Sequence, residues 1–311
     1  MGLNQVYADQ NYVYMVYSDG LEINDIITES NINSVFHYNG YNSVWASDEY
    51  VYLASSYNGI EYFNKLGVET VSTPNVYLQF PDITSNNVKY IHGNTTKMIV
   101  STNSGIDIIR MDVGYDTHNT SITNATKTFV TTNNYYYYTY YDGGVYHIAR
   151  LNGNRGDWST ADVYYTTGSG FLEEDSIIKD FYVTEHTSTS GVNNTLFIVT
   201  DLAGYAYDEG TGDIKILTTY SGLYTGTVSG TNVYNVLGGA STDFIAIWAD
   251  PRTNVNYGKV CVASTGTGAA LSIIDMGTNV LYDCYTKTER GGGAEPLDAE
   301  DVKDLHVGGE I

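Results

Sequence analysis

The chain is 311 residues long and sets 14 Lys+Arg against 36 Asp+Glu, a formal charge of −22. That balance offers no basic patch to neutralise phosphates, which excludes direct nucleic-acid binding and makes an anionic membrane surface a poor partner. Two Cys and 4 Pro against 31 Tyr and 32 Gly exclude a disulfide framework or zinc ribbon and favour short strands joined by glycine turns.

The N-terminal MGLNQVYADQ has neither a basic nor an apolar signal segment, and Val6 stands where a myristoylation site wants Ser or Thr. No stretch approaches a membrane-spanning length, so a chain that folds in the cytosol of its host, without membrane insertion, is expected.

Taken in order, the sequence repeats one unit. The first copy reads QVYAD, YVYMVY, a turn at Ser18-Asp19-Gly20, LEINDI and SVFHY. The second reads SVWASD, YVYLAS, a turn at Asn58-Gly59, IEYFN and a strand around VYLQF. The third reads VKYIHG, MIVST, a turn at Asn103-Ser104-Gly105, IDIIRM and TSIT. The fourth reads KTFVTT, YYYYTYY, a turn at Asp142-Gly143-Gly144, VYHIARL and DVYYTT. The fifth and sixth both open on Asp-Phe, at Asp180 and Asp243, and pass through a polar loop before their second strand. Each apolar, aromatic run flanking a glycine turn reads as a hairpin, with glycine supplying a positive φ.

The turn glycines Gly20, Gly59, Gly105, Gly144, Gly204 and Gly268 are 39, 46, 39, 60 and 64 residues apart. The first three spacings match four-stranded blades of about 40–50 residues. A lone four-stranded meander cannot bury both its faces, whereas blades packed around an axis can. The expectation is an all-β fold: a β-propeller of six four-stranded antiparallel blades over 1–288, or seven if the apolar segment in 222–238 forms another. The first and last strands would meet to close the ring. Residues 289–311 form a linker and docking tail, with Pro296 opening a short helix that presents Leu297, Val302 and Leu305. A β-sandwich, a β-helix or stacked β-domains are the alternatives.

Catalytic motifs are missing. There is no G-x-S-x-G, H-E-x-x-H, EF-hand, P-loop or dinucleotide fingerprint, and the six His are scattered. The sialidase box is approached only by Tyr140-Tyr141-Asp142-Gly143-Gly144, without its Ser and Trp, and the pairs of WD and kelch repeats are missing. No catalytic residue, cofactor or metal site is expected. The turns between second and third strands fall on one face of a propeller, so Asp19, Asn58, Asn103, Asp142 and Asp201 are the candidate recognition ring. Tyr41 joins them from the loop entering the second blade. The run Tyr135–Tyr138, with Tyr140 and Tyr141, serves blade packing on one face and a neighbour or ligand on the other.

YVYLASSYNGIEYFN and YVYMVYSDGLEIND resemble the repeats of bacterial sensor-type and other non-enzymatic β-propellers, which read aromatic-Val-aromatic-x-Ala-Thr-x-x-Gly-Ile-x-aromatic. The resemblance covers residues 3–286. The richness in Asn, Thr, Tyr and Gly, with few Lys and no export signal, is also similar to virion proteins of tailed bacteriophages. That likeness implies a non-enzymatic tail, neck, fibre or decoration module. It would be present in multiple copies and contact other virion proteins or a host-surface glycan or protein. An extracellular carbohydrate-binding or glycoside-cleaving propeller is the alternative.

Overall fold

A computed structural model describes residues 2–36, 40–67, 75–76, 85–111, 117–119, 122, 124–153, 161–188, 191–219, 241–266, 269–277 and 280–286. The strands are β1 (Leu3–Ala8), β2 (Tyr12–Tyr17), β3 (Gly20–Asp25), β4 (Asn31–Phe36), β5 (Tyr41–Ala46), β6 (Tyr50–Ser55), β7 (Gly59–Asn64) and β8 (Asn75–Val76). They continue as β9 (Val88–Gly93), β10 (Lys97–Thr102), β11 (Ile106–Arg110), β12 (Thr117–Asn119), β13 (Thr128–Val130), β14 (Tyr135–Asp142), β15 (Val145–Asn152) and β16 (Val163–Thr166). The last eight are β17 (Ile178–Ser188), β18 (Gly191–Thr200), β19 (Ala203–Asp208), β20 (Ile214–Thr219), β21 (Ser241–Ala249), β22 (Lys259–Gly266), β23 (Ala269–Asp275) and β24 (Val280–Thr286).

Among the described residues these strands form six four-stranded sheets, each of four consecutive strands. The described strand pairings are antiparallel. The six repeat units therefore fall where the sequence spacing put them. No helix of the described residues is long and apolar enough to cross a membrane. The tail with Leu297, Val302 and Leu305, the 222–238 segment and the turn at Gly268 lie outside the described residues.

Two strand boundaries and one backbone angle pattern differ from the sequence reading. The fourth strand of the third sheet is Thr117–Asn119, upstream of TSIT. The polar stretch after DFYVTE is a hairpin, with β17 running to Ser188 and β18 starting at Gly191. Unbroken pairing from Thr184↔Thr195 to Ser188↔Gly191 carries these polar residues into the ladder, where backbone bonds override side-chain polarity. Finally, only Gly59 (φ +79°) and Gly144 (φ +91°) of the described turn glycines adopt a positive φ. Gly20, Gly105 and Gly204 have ordinary backbone angles.

The chain divides between Tyr164 and Tyr165 into two compact units. In the first, β1 lies against β5, β5 against β9, and β9 against β13, so first strands line the side where the sheets converge. The central strands are apolar on both faces because each face meets a different sheet. Val51 and Leu53 of β6 pack with Tyr14, Val16, Leu21 and Ile23 of the first sheet. Tyr52 and Ala54, pointing the other way, pack with Ile91, Met98 and Val100 of the third. Ile99, Ile106 and Ile108 then meet Tyr136, Tyr138, Ala149 and Leu151 of the fourth. In the second unit, Phe197, Val199, Ala206 and Leu217 meet Phe244, Ile247, Val260, Val262 and Ile274. Gly93 ends β9 because a side chain there would collide with the Trp45 ring at 2.5 Å.

Polar side chains fasten the sheets together. β1 and β5 each bulge at their start, between Leu3 and Gln5 and between Tyr41 and Ser43. The bulged residue donates to the next first strand, Asn4 Nδ2 to Tyr41 O at 2.6 Å and Asn42 Nδ2 to Val88 O at 2.7 Å. The residue after it accepts from that strand, Gln5 Oε1 from Val44 N at 2.6 Å and Ser43 Oγ from Ile91 N at 2.9 Å. His92 Nδ1 accepts from Val130 N at 3.1 Å. In the second unit β17 bulges between Ile178 and Asp180, and Asp180 Oδ2 accepts from Ile247 N at 3.0 Å.

Cys261 on β22 and Cys284 on β24 are separated by β23. Two strand spacings are about 9.5 Å, beyond the Cα reach of a disulfide. Cys261 is a free, buried thiol.

Candidate functional site

The turns between second and third strands are built from short-range oxygen caps. Ser55 Oγ accepts from Tyr57 N and Asn58 N at 3.2 and 3.0 Å. Thr200 Oγ1 accepts from Leu202 N and Ala203 N at 3.2 and 3.0 Å, and Thr102 Oγ1 accepts from Ser104 N at 3.1 Å. A buried hydroxyl thus stands in for a backbone acceptor and fixes the turn.

Loops entering the sheets run beside these turns. Ser56 N donates to Gly40 O at 2.8 Å and Asn103 N to Asn87 O at 3.1 Å. Gly59 N reaches Asn86 O, on the way into the following sheet, at 2.8 Å.

The predicted ring residues differ in availability. Asn103 and Asp142 are exposed, while Asp19, Asn58 and Asp201 are half-buried. Asp19 Oδ1 is shielded and has no hydrogen-bond partner among the described residues. Asn58 Nδ2 donates to Glu61 Oε1 at 2.7 Å. Asp201 secures the loop before β17, with Oδ1 accepting from Ile177 N at 2.7 Å. Tyr41 is fully buried and is no contact residue: it opens β5, and its hydroxyl donates to the buried Glu61 carboxylate. Its place in a Gly-Tyr-Asn loop suggested exposure, but the chain turns inward one residue earlier, at Gly40 with φ +62°. The structure thus joins Tyr41 and Asn58 through Glu61 and leaves Asp142 exposed on an extended element.

That element is the hairpin of β14 and β15. Each strand has eight residues, two more than β6 and β7, and they pair without interruption from Tyr135↔Asn152 to Asp142↔Val145. Gly143 and Gly144 have φ of +59° and +91°, the double left-handed turn that suits strand twist. Tyr136, Tyr137 and Tyr138 are buried, whereas Tyr141 is 46% exposed. On one face Tyr140 stacks on His147 with centroids 4.6 Å apart. On the other, Tyr141 tilts against Tyr146 at 4.8 Å. Tyr164, 47% exposed, lies close enough to Tyr138 and Tyr140 to disfavour their ionisation. Burial first, then Tyr164 and Asp142, pushes the Tyr140 phenol up to about 12, so it stays a neutral hydrogen-bonding group. Tyr146, His147 and Tyr164 escaped the sequence reading. The signal that could have found Tyr146 and His147 is the unbroken YYYYTYYDGGVYHIARL, longer than its counterparts in the first three repeats.

Among the described residues no cluster of three or more His, Cys, Asp or Glu could hold a metal ion.

No protein-family model matches the chain, and no curated protein matches its sequence. Solved structures do. The extracellular domain of BT4673 from B. thetaiotaomicron aligns over 98% of this chain and 35% of its own, at 13% identity and a TM-score of 0.60. Kuenenia stuttgartiensis hydrazine synthase aligns over 88% of this chain and 77% of its own, at 9% identity and a TM-score of 0.58. The computationally designed Ika8 protein aligns over 98% and 90%, at 11% identity and a TM-score of 0.55. Identities this low show the fold alone, and the fold is of the β-propeller kind.

Proposed function

We propose that this chain is a non-enzymatic structural or adhesion module of a tailed-phage particle. It is made in the host cytoplasm, assembled in multiple copies, and works through contact with other virion proteins or the host surface. The observation that carries the contact role is the β14–β15 hairpin, which presents tyrosine rings and Asp142 to solvent from sheets fastened by buried polar bonds. A rigid scaffold lowers the ordering cost of binding. Tyrosine supplies contact area with few rotatable bonds and a polar tip. The virion setting rests on the richness in Asn, Thr, Tyr and Gly and the scarcity of Lys.

The test is co-sedimentation of tagged chain with assembled particles from infected cells. Particle-bound chain at a fixed stoichiometry supports the module, and chain found only in the soluble fraction overturns it. The exposed Tyr141 and Tyr164 rings also suit a carbohydrate ligand, the alternative function. Binding on a glycan array, or turnover of a sialoside or aryl glycoside, would favour that reading.

A further inference from the structure

We propose that the β14–β15 hairpin tip is itself the contact element, and that its partner is an arginine-bearing, net-positive protein surface. This deepens the contact-module reading and rests on it. Three observations carry it.

The tip stands in open space. Tyr141, Asp142, Gly143 and Gly144 are four consecutive exposed residues, and a side chain added at either glycine would meet nothing within 4 Å. The tip is also rigid for a loop, since the ladder is complete to Asp142↔Val145.

Its chemistry is one-sided. Residues 135–149 contain seven tyrosines and one carboxylate, and no Lys or Arg. The nearest arginine in the sequence, Arg150, is engaged over the Tyr135 ring at 5.1 Å. The segment that forms the tip therefore offers rings and an acceptor and supplies no Lys or Arg of its own. Arginine fits that combination better than lysine. Its planar guanidinium stacks on a ring while its edge forks to a carboxylate, whereas an ammonium meets either group only as a point charge.

The charge of −22 selects among occupants. It steers a basic surface toward the tip and repels a second copy of the same chain. A neutral glycan would draw on the rings and leave that field unused.

The test uses the full chain and two fluorescein-labelled octapeptides, alternating Arg-Ser and alternating Lys-Ser, read by anisotropy at 0.05 and 0.15 M salt. Variants are Tyr141→Ala, Asp142→Asn and, as an equal charge change in an exposed loop elsewhere, Asp213→Asn. The Arg peptide should bind more tightly than the Lys peptide. Tyr141→Ala and Asp142→Asn should each weaken it about three- to fivefold, with circular dichroism unchanged and Asp213→Asn without effect. Equal binding of both peptides, an equal loss in Asp213→Asn, or indifference to Tyr141→Ala would overturn the assignment, since each reduces it to net charge. Saturable binding of chitotriose abolished by Tyr141→Ala would overturn it in favour of a sugar site. Particle co-sedimentation separates this from the broader reading: if both tip variants still co-sediment, the tip assignment fails while the module stands.

Discussion

Gln5 is the side chain on which three sheets meet, and replacing it tests the account of how they are fastened. Its Oε1 accepts from Val44 N at 2.6 Å and its Nε2 donates to Tyr90 Oη at 2.8 Å. Gln5 is 6% exposed and Val44 fully buried. Gln5→Leu keeps the volume but removes both bonds. An orphaned buried N–H costs about 1–3 kcal/mol. The half-buried Tyr90 hydroxyl can turn toward water, so its loss adds about 0.5–1 kcal/mol. The sum, about 1.5–4 kcal/mol, corresponds to a melting point lowered by about 3–16 °C for a unit of this size. Urea denaturation gives the energy, and amide exchange at Val44 gives the location. A cycle with Tyr90→Phe should return a coupling of about 0.5–1.5 kcal/mol. A Gln5→Leu chain within about 0.5 kcal/mol of wild type, or with Val44 protection unchanged, would refute the reasoning.

Asp9, Tyr14 and Lys65 form a second junction, with Lys65 Nζ 2.7 Å from Asp9 Oδ2 and the Tyr14 hydroxyl donating to the same oxygen. Burial pushes the Asp9 carboxyl up, but hydrogen bonds from Lys65 and from the Asn11 and Tyr12 amides, with the Lys65 charge, outweigh it and hold it below its ordinary 3.8. A lowered carboxyl contributes stability above its unfolded value and loses it as pH falls through the folded one, so the gap between wild type and Asp9→Asn should hold above about pH 5 and close below that window. A urea series in which the gap persists into acid would contradict this. Burial pushes the Cys261 thiol up to about 11, so in a Cys284→Ser chain iodoacetamide should label native Cys261 at least about a hundredfold more slowly than the urea-unfolded chain. Equal rates would place the thiol at the surface. Thr200→Val removes the acceptor for the buried Ala203 amide and the half-buried Leu202 amide and should cost about 1–2 kcal/mol in urea, whereas Thr200→Ser should cost under about 1. Equal losses would assign the effect to packing.

The fold was legible because two signals agreed over the first four repeats: an apolar run too dense for a one-sided sheet, and a turn every 39–46 residues. YVYLAS reads apolar throughout because Val51 and Leu53 serve one neighbouring sheet and Tyr52 and Ala54 the other. The site was less legible. Asp142 and Asn103 emerged exposed as a turn rule suggests, but the same rule cannot see that Asn58 bonds Glu61 or that Asp201 secures the loop before β17. Tyr41 failed for a related reason: exposure of a loop residue depends on where the chain turns inward, a matter of backbone angle at Gly40. The aromatic tip depends on hairpin length, which composition does not report.

The caps explain why so regular a fold leaves so faint a residue signature. In the turn between first and second strands, Asp9 Oδ1 accepts from Asn11 N and Tyr12 N, Ser47 Oγ from Glu49 N and Tyr50 N, Asn94 Oδ1 from Thr96 N and Lys97 N, and Thr131 Oγ1 from Tyr135 N. The next turn uses Ser55, Thr102 and Thr200. The turn after the third strand uses Asp25, Asn64, Asp208 and Asp275. What repeats is an oxygen acceptor at a fixed distance from the amides it satisfies, and four residue types supply it equally well. Identity is free to drift within that class while the hydrogen bond stays. The hairpin tip obeys a different rule. Tyr141 and Asp142 are exposed and are not among these caps, which is why the proposed contact role is assigned to them.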